Sequence, residues 1–155
     1  MGASARLDLR DVWGRFNDGL ITLVDCIPDD KVNWSPKPEL WNFQGIMLHM
    51  NDARDNWLGH GIGDGVEWEN VWRTVRTKEQ IKAAYARTWE RLSAFLSDQG
   101  KLDAQYEVQD PGEPVEMASG HWIAFHLLEH DIHHRADLMH YLALLGIEHP
   151  DVGTP

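Results

Sequence analysis

The chain has a single cysteine, Cys26, which excludes an internal disulfide and suits a reducing compartment such as the cytoplasm. It has no run of about 18 apolar residues, so no membrane-spanning helix is expected, and its opening MGASARLDLRDVW lacks the apolar core of a secretion signal. Met1-Gly2 begins like a myristoylation site, but Arg6 stands where Ser or Thr is needed. Basic residues are few: 14 Lys and Arg face 25 Asp and Glu, a formal net charge of −11 with no basic cluster to offset it. Nucleic acid and anionic membrane surfaces are therefore not expected as partners. No internal repeat and no dividing linker is visible, so a single domain over residues 1–155 is expected, large enough to bury its own core.

Histidine and tryptophan are plentiful instead, with nine and eight copies. Six of the histidines (His121, His126, His130, His133, His134 and His140) fall in Gly120–Gly146, GHWIAFHLLEHDIHHRADLMHYLALLG, which no proline interrupts. At 100° per residue, His126, His130 and His134 step about 40° apart around a helix, with His133 and Asp137 inside the same arc. The apolar residues Trp122, Ile123, Leu127, Leu138, Tyr141, Leu142 and Leu145 are too many for a surface helix, so the polar stripe should be buried with them. Buried imidazoles need partners. Histidines at i and i+4 have Cβ atoms about 5 to 6 Å apart, close enough for two rings to reach one metal ion. A histidine-rich helix bonded to waters, carboxylates and backbone is the alternative.

Elsewhere the apolar spacing predicts three more helices. The first runs from Ser4 to Ile27 and stops at Pro28. A proline-bearing connection, pinned by Val32, Trp34 and Trp41, leads to Asn42, a cap for the second helix NFQGIMLHMNDARDNWLGHGI, which Gly61, Gly63 and Gly65 end. Asp64–Arg76 carries Trp68 and Trp72, aromatics expected to fold back onto the core or to form a lid. Thr77 with Gln80 makes a capping box for the third helix, which reaches Gly100. Lys101–Met117 is expected to form a short hairpin or an ordered flap, and Ser119 to cap the histidine helix. Four long helices without a convincing sheet, joined by connections of about 13 to 17 residues, describe an all-α four-helix bundle in which crossovers are permitted.

The second helix contributes His49, between Ile46 and Met50. With an i, i+4 pair it makes three nitrogen ligands from two helices and leaves a fourth position open, the pattern of catalytic rather than structural sites. Spacing alone does not choose between His126/His130 and His130/His134. Asp52 and Asn56, at i+3 and i+7 from His49, are candidates for a base or positioning groups, and His126 and His133 for groups that support the ligands.

The segments LWNFQGIMLHMNDARDNWL and HLLEHDIHHRADLMHYLALLG, with the four-helix order, resemble the DinB/YfiT-like family over nearly the whole chain. That family's last helix reads roughly H-x-x-x-H-R-G-Q with both histidines as ligands. His130, His134 and Arg135 occupy matching positions, while Ala136 and Asp137 replace Gly and Gln. The resemblance implies an up-down-down-up bundle, often dimeric, with a divalent metal on His49, His130 and His134. Zn or Ni is the leading choice, with Fe or Mn as others. Related activities are S-transfer and isomerisation dependent on a low-molecular-weight thiol. Asp137 would orient a ligand or draw a proton. A small-molecule substrate, a low-molecular-weight thiol cosubstrate and a homodimer are expected; a non-catalytic metal- or ligand-binding bundle (sensor, scavenger or scaffold) and a metal-dependent hydrolase are the alternatives. H-D-x-x-H also approaches a zinc protease helix, but with the shorter acid and without the accompanying sheet. A di-iron site lacks its second Glu-x-x-His.

Overall fold

The computed structural model describes residues 8–109 and 112–150. Helix α1 (Leu9–Cys26) starts at Asp8, whose carboxylate accepts the N–H groups of Arg10 and Asp11. The expected start at Ser4 lies outside the described residues, as do Asp110 and Pro111 of the hairpin connection. In the segment that follows, Val32 is buried and Trp34 packs on Phe43 and, edge-on, on Tyr141. Trp41 does not pin this connection into the core: it is 47% exposed.

Helix α2 (Phe43–Asn56) is capped by Asn42, whose side chain accepts the Gly45 N–H at 2.7 Å, and it passes into a π-helical turn over Trp57–Gly61. Gly63 and Gly65 then turn the chain at φ of 70° and 83°, a region L side chains rarely occupy. The next connection contains the short helix α3 (Val71–Thr74). Helix α4 (Lys78–Leu96) opens with the complete Thr77–Gln80 capping box. It stops short of Gly100, and the chain restarts as α5 (Gln99–Asp103) behind an Asp98 cap. Strands β1 (Gln105–Val108) and β2 (Glu116–Ser119) pair antiparallel, with Gln105 opposite Ser119 and Val108 opposite Glu116. Of the two expected forms, a short hairpin or an ordered flap, the described residues show the hairpin, entered directly from the end of α5. Ser119 caps α6 (Gly120–Leu144) by accepting the Trp122 N–H at 3.1 Å.

Helices α1 and α2 each pack against both α4 and α6. The interior is two apolar clusters stacked along the bundle. One gathers the later half of α1 (Leu20, Leu23, Val24), the start of α2 (Phe43, Ile46, Met47), the start of α4 (Ile81, Tyr85) and the end of α6 (Leu138, Leu142). The other gathers the opposite ends: Trp13 and Phe16 of α1, Leu58 after α2, Leu92 and Phe95 of α4, and Ile123 and Leu127 of α6. Helices α1 and α6 therefore run one way and α2 and α4 the other, which is the up-down-down-up order. The result is an all-α four-helix bundle with a two-stranded appendage.

Between the clusters lies a polar layer. The buried polar residues Asn17 (α1), Asn51, Arg54 and Asp55 (α2), Thr88 (α4) and Asp131 (α6) all fall at the level where one cluster gives way to the other. His49 of α2 and His130 and His134 of α6 sit beside this layer.

Candidate metal centre

His49 reaches the layer from α2, and His130 and His134 from successive turns of α6. The three ring centroids are 4.7 to 4.9 Å apart. One ring nitrogen from each lies within 4.8 Å of the other two, and the Nε2 atoms of His49 and His130 face each other at 2.9 Å. All three side chains are half-buried rather than fully buried, and His133 is exposed, so the expected burial of the stripe is only partial.

The protonation pattern suits a cation. Burial, then the neighbouring His130 and His134, lowers His49 to about 4, so it is neutral near pH 7. Burial also lowers His134, against the opposing effect of its hydrogen bond to Asp137. Asp137 Oδ2 lies 3.1 Å from His134 Nδ1, and a carboxylate can only accept, so Nδ1 carries the proton and the Nε2 lone pair is free. Three imidazole nitrogens this close, two of them on rings whose protonation burial disfavours, fit a single ion: bonds of about 2.0 to 2.1 Å at a tetrahedral angle hold nitrogens roughly 3.3 Å apart.

The other predicted residues are distributed around this cluster. Asp52 is half-buried, and its two oxygens accept the indole N–H groups of Trp68 (2.9 Å) and Trp72 (3.2 Å). It thereby ties the 64–76 connection down beside His49. Asn56 is exposed and, with His126, Trp57 and Trp122, lines a cleft of about 800 Å³ closed on its far side by the hairpin residues Glu107, Glu113 and Glu116. His126 stacks in parallel on Trp122 at 4.9 Å and meets Trp57 at 5.2 Å; its ring is not grouped with the three. Trp122 is 47% exposed, against the expectation that it would be buried. The exposed His133 packs edge-on to His134 and, with His134 and Asp137, forms a second group at ligand spacing.

Sequence reasoning missed three features. Trp41 lies over His49 with ring centroids 4.4 Å apart and reaches within 6.0 Å of His134, so it walls the cluster from solvent. Arg54 and Asp131 form an ion pair at 2.7 Å with no exposure of either side chain, directly behind His130. Asp55, also buried, receives Arg87 and Arg91, and Arg91 in turn holds Asp64. The signal for Arg54 and Asp131 was present: each takes the i+7 place in a helical-period apolar series, after Met47 and Met50 and before Leu58, and after Ala124 and Leu127 and before Leu138.

A four-helix bundle with three convergent histidines on its second and last long helices is a class defined by fold and site together. Residues 14–138 match the DinB superfamily, and the chain belongs to that family. In fold it is similar to a DinB-like protein from Bacillus subtilis, at 16% identity and a TM-score of 0.67, covering 94% of this chain and 97% of that one. A DinB-like protein from Bacillus cereus is also similar, at 16% identity and a TM-score of 0.73, covering 92% and 93%. No protein of curated function matches the chain.

Proposed function

We propose that His49, His130 and His134 hold one divalent cation, Zn or Ni in the first place, and that the protein is a thiol-dependent S-transferase or isomerase acting on a small molecule. The observation that carries this reading is the convergence of three imidazole nitrogens from two helices within 4.8 Å. A bound divalent cation stabilises thiolate over thiol and so supplies a nucleophile near neutral pH.

The chain's own groups do the rest. Asp137 keeps the His134 proton on Nδ1. Trp41 limits water at the cluster, and Asp52 holds Trp68 and Trp72 beside it; with both oxygens engaged, Asp52 acts as an anchor for the connection rather than as a mobile base. Asn56 and His126 continue the helix faces of His49 and His130 into the cleft, which receives the part of the substrate that does not react. The acidic composition favours neutral or cationic small molecules over nucleic acid. Among the described residues no helix is long and apolar enough to cross a membrane. We read the protein as a cytoplasmic homodimer.

Metal analysis of the purified protein tests the proposal. About one divalent ion per chain is expected, lost in His130→Ala, and a low-molecular-weight thiol should shift the visible spectrum of the Co²⁺-substituted form. An ion retained without any response to thiols would favour a sensor or scaffold.

A further inference from the structure

Of the three candidate ligands, His130 is the one whose second nitrogen is buried without a partner. Its Nδ1 is buried without a hydrogen-bond partner, and the polar atom facing it is Asp131 Oδ1 at 3.6 Å, itself buried and without one. The other oxygen of Asp131 is committed: Oδ2 accepts from Arg54 Nε at 2.7 Å, and Arg54 Nη1 donates to Asn17 Oδ1 at 2.8 Å. Neither side chain of the Arg54–Asp131 pair is exposed.

A buried ion pair is a poor device for stability, because apolar residues of similar volume do as well or better. Leaving Asp131 Oδ1, His130 Nδ1 and Arg54 Nη2 unmatched makes it poorer still. The arrangement is intelligible if the ring carries its proton on Nδ1, since that proton points at the vacant side of the carboxylate. A shift of roughly half an ångström then brings the pair within hydrogen-bond range. With Nδ1 protonated, the Nε2 lone pair is directed at the side His49 faces. His134 shows the same logic on the next turn, with Asp137 as its acceptor.

Resting on the metal-centre reading above, we propose that Asp131 is the positioning residue for His130: its Oδ1 fixes the Nδ1–H tautomer, while Arg54 of α2, itself held by Asn17 of α1, keeps the carboxylate in place. Each ligand on α6 then has a carboxylate of its own helix behind it, one buried and clamped, one half-exposed.

The test is Asp131→Asn. It keeps the volume and the Arg54 contact, but it can turn an amide N–H toward Nδ1, which favours the tautomer that blocks Nε2. Zn²⁺ affinity, measured by competition with a chromophoric chelator, should fall about 10- to 100-fold. A purely structural pair would lower the melting temperature of the metal-free variant and leave the zinc dissociation constant unchanged; that result overturns the proposal. Should the variant not fold, ¹⁵N imidazole spectra of the zinc-loaded wild type decide. The proton of His130 is expected on Nδ1 with Nε2 bound, and the reverse assignment overturns the proposal. Wild-type protein that takes up no zinc overturns the metal centre itself and this role with it, whereas intact wild-type uptake with unchanged uptake by Asp131→Asn removes only the role of Asp131.

Discussion

At the scale of single residues the histidine cluster makes a prediction about acid. His49 is lowered from 6.5 to about 4, by burial first and then by His130 and His134, and His134 is lowered as well. As pH falls, the unfolded chain takes up these protons near 6.5 while the folded chain resists. Stability is therefore whole above about 6.5 and declines as the pH drops toward about 4. The melting temperature of metal-stripped protein should fall across that window, and His49→Gln should flatten the fall. Asp55 contributes only lower down: burial would raise it, but its bonds with Arg91, the Glu69 N–H and Arg87 hold it below the usual carboxylate range. A wild-type profile that is level from pH 6.5 to 4 would show that the rings do not meet the buried surroundings described here. His49, His130 and His134 were legible as candidates because periodicity and family resemblance both bear on them. Which ring nitrogen faces which neighbour was not legible, because that depends on the rotation of two helices about their axes.

At the scale of elements, the starts of the helices were the most legible part of the chain. A cap is local chemistry: Asn42, Thr77 with Gln80, and Ser119 each bond an N–H no more than three residues away. Thr77→Ala should cost about 1 kcal/mol in urea unfolding, with the histidine cluster unaffected. Contacts between elements were much less legible, and Gly120 shows why. A Cβ there would meet the Lys101 carbonyl oxygen at 2.2 Å and Leu102 Cα at 2.7 Å, backbone atoms that cannot step aside. The residue reads in sequence as an ordinary helix start, yet it is where α5 crosses α6. Gly120→Ala should destabilise the protein by about 3 kcal/mol, more than any cap substitution. The same dependence on a distant partner hid the role of Asp52. Releasing Trp68 and Trp72 by Asp52→Ala should speed hydrogen exchange in residues 64–76 and change tryptophan fluorescence while moving the melting temperature little. Equal protection in that segment would mean that the indole bonds do not hold it.

At the scale of the molecule, the two apolar clusters and the polar layer between them explain why this bundle gathers polar side chains at its middle. Each long helix crosses the layer once and leaves a polar residue there: Asn17, Arg54, Thr88 and Asp131 in chain order. Opposite charges in the middle of two apolar series announce buried ions, but not that they pair, since the pairing requires α2 and α6 to be neighbours running in opposite directions. The energetics follow from that pairing. Arg54→Met strands an aspartate that has no access to water and should cost about 3 to 5 kcal/mol, because the remaining charge is uncompensated. Adding Asp131→Leu removes the stranded charge, so the double variant should recover most of the loss, and a double-mutant cycle in urea should show a coupling of at least about 2 kcal/mol. A double variant as unstable as Arg54→Met alone would mean that shape rather than charge balance holds the layer. If recovery is seen, the doubly substituted bundle should be folded and nearly as stable as the parent yet weaker for zinc, because the apolar pair closes the bundle without giving His130 an acceptor. Stability and metal affinity, which a single substitution lowers together, are thereby separated in one protein.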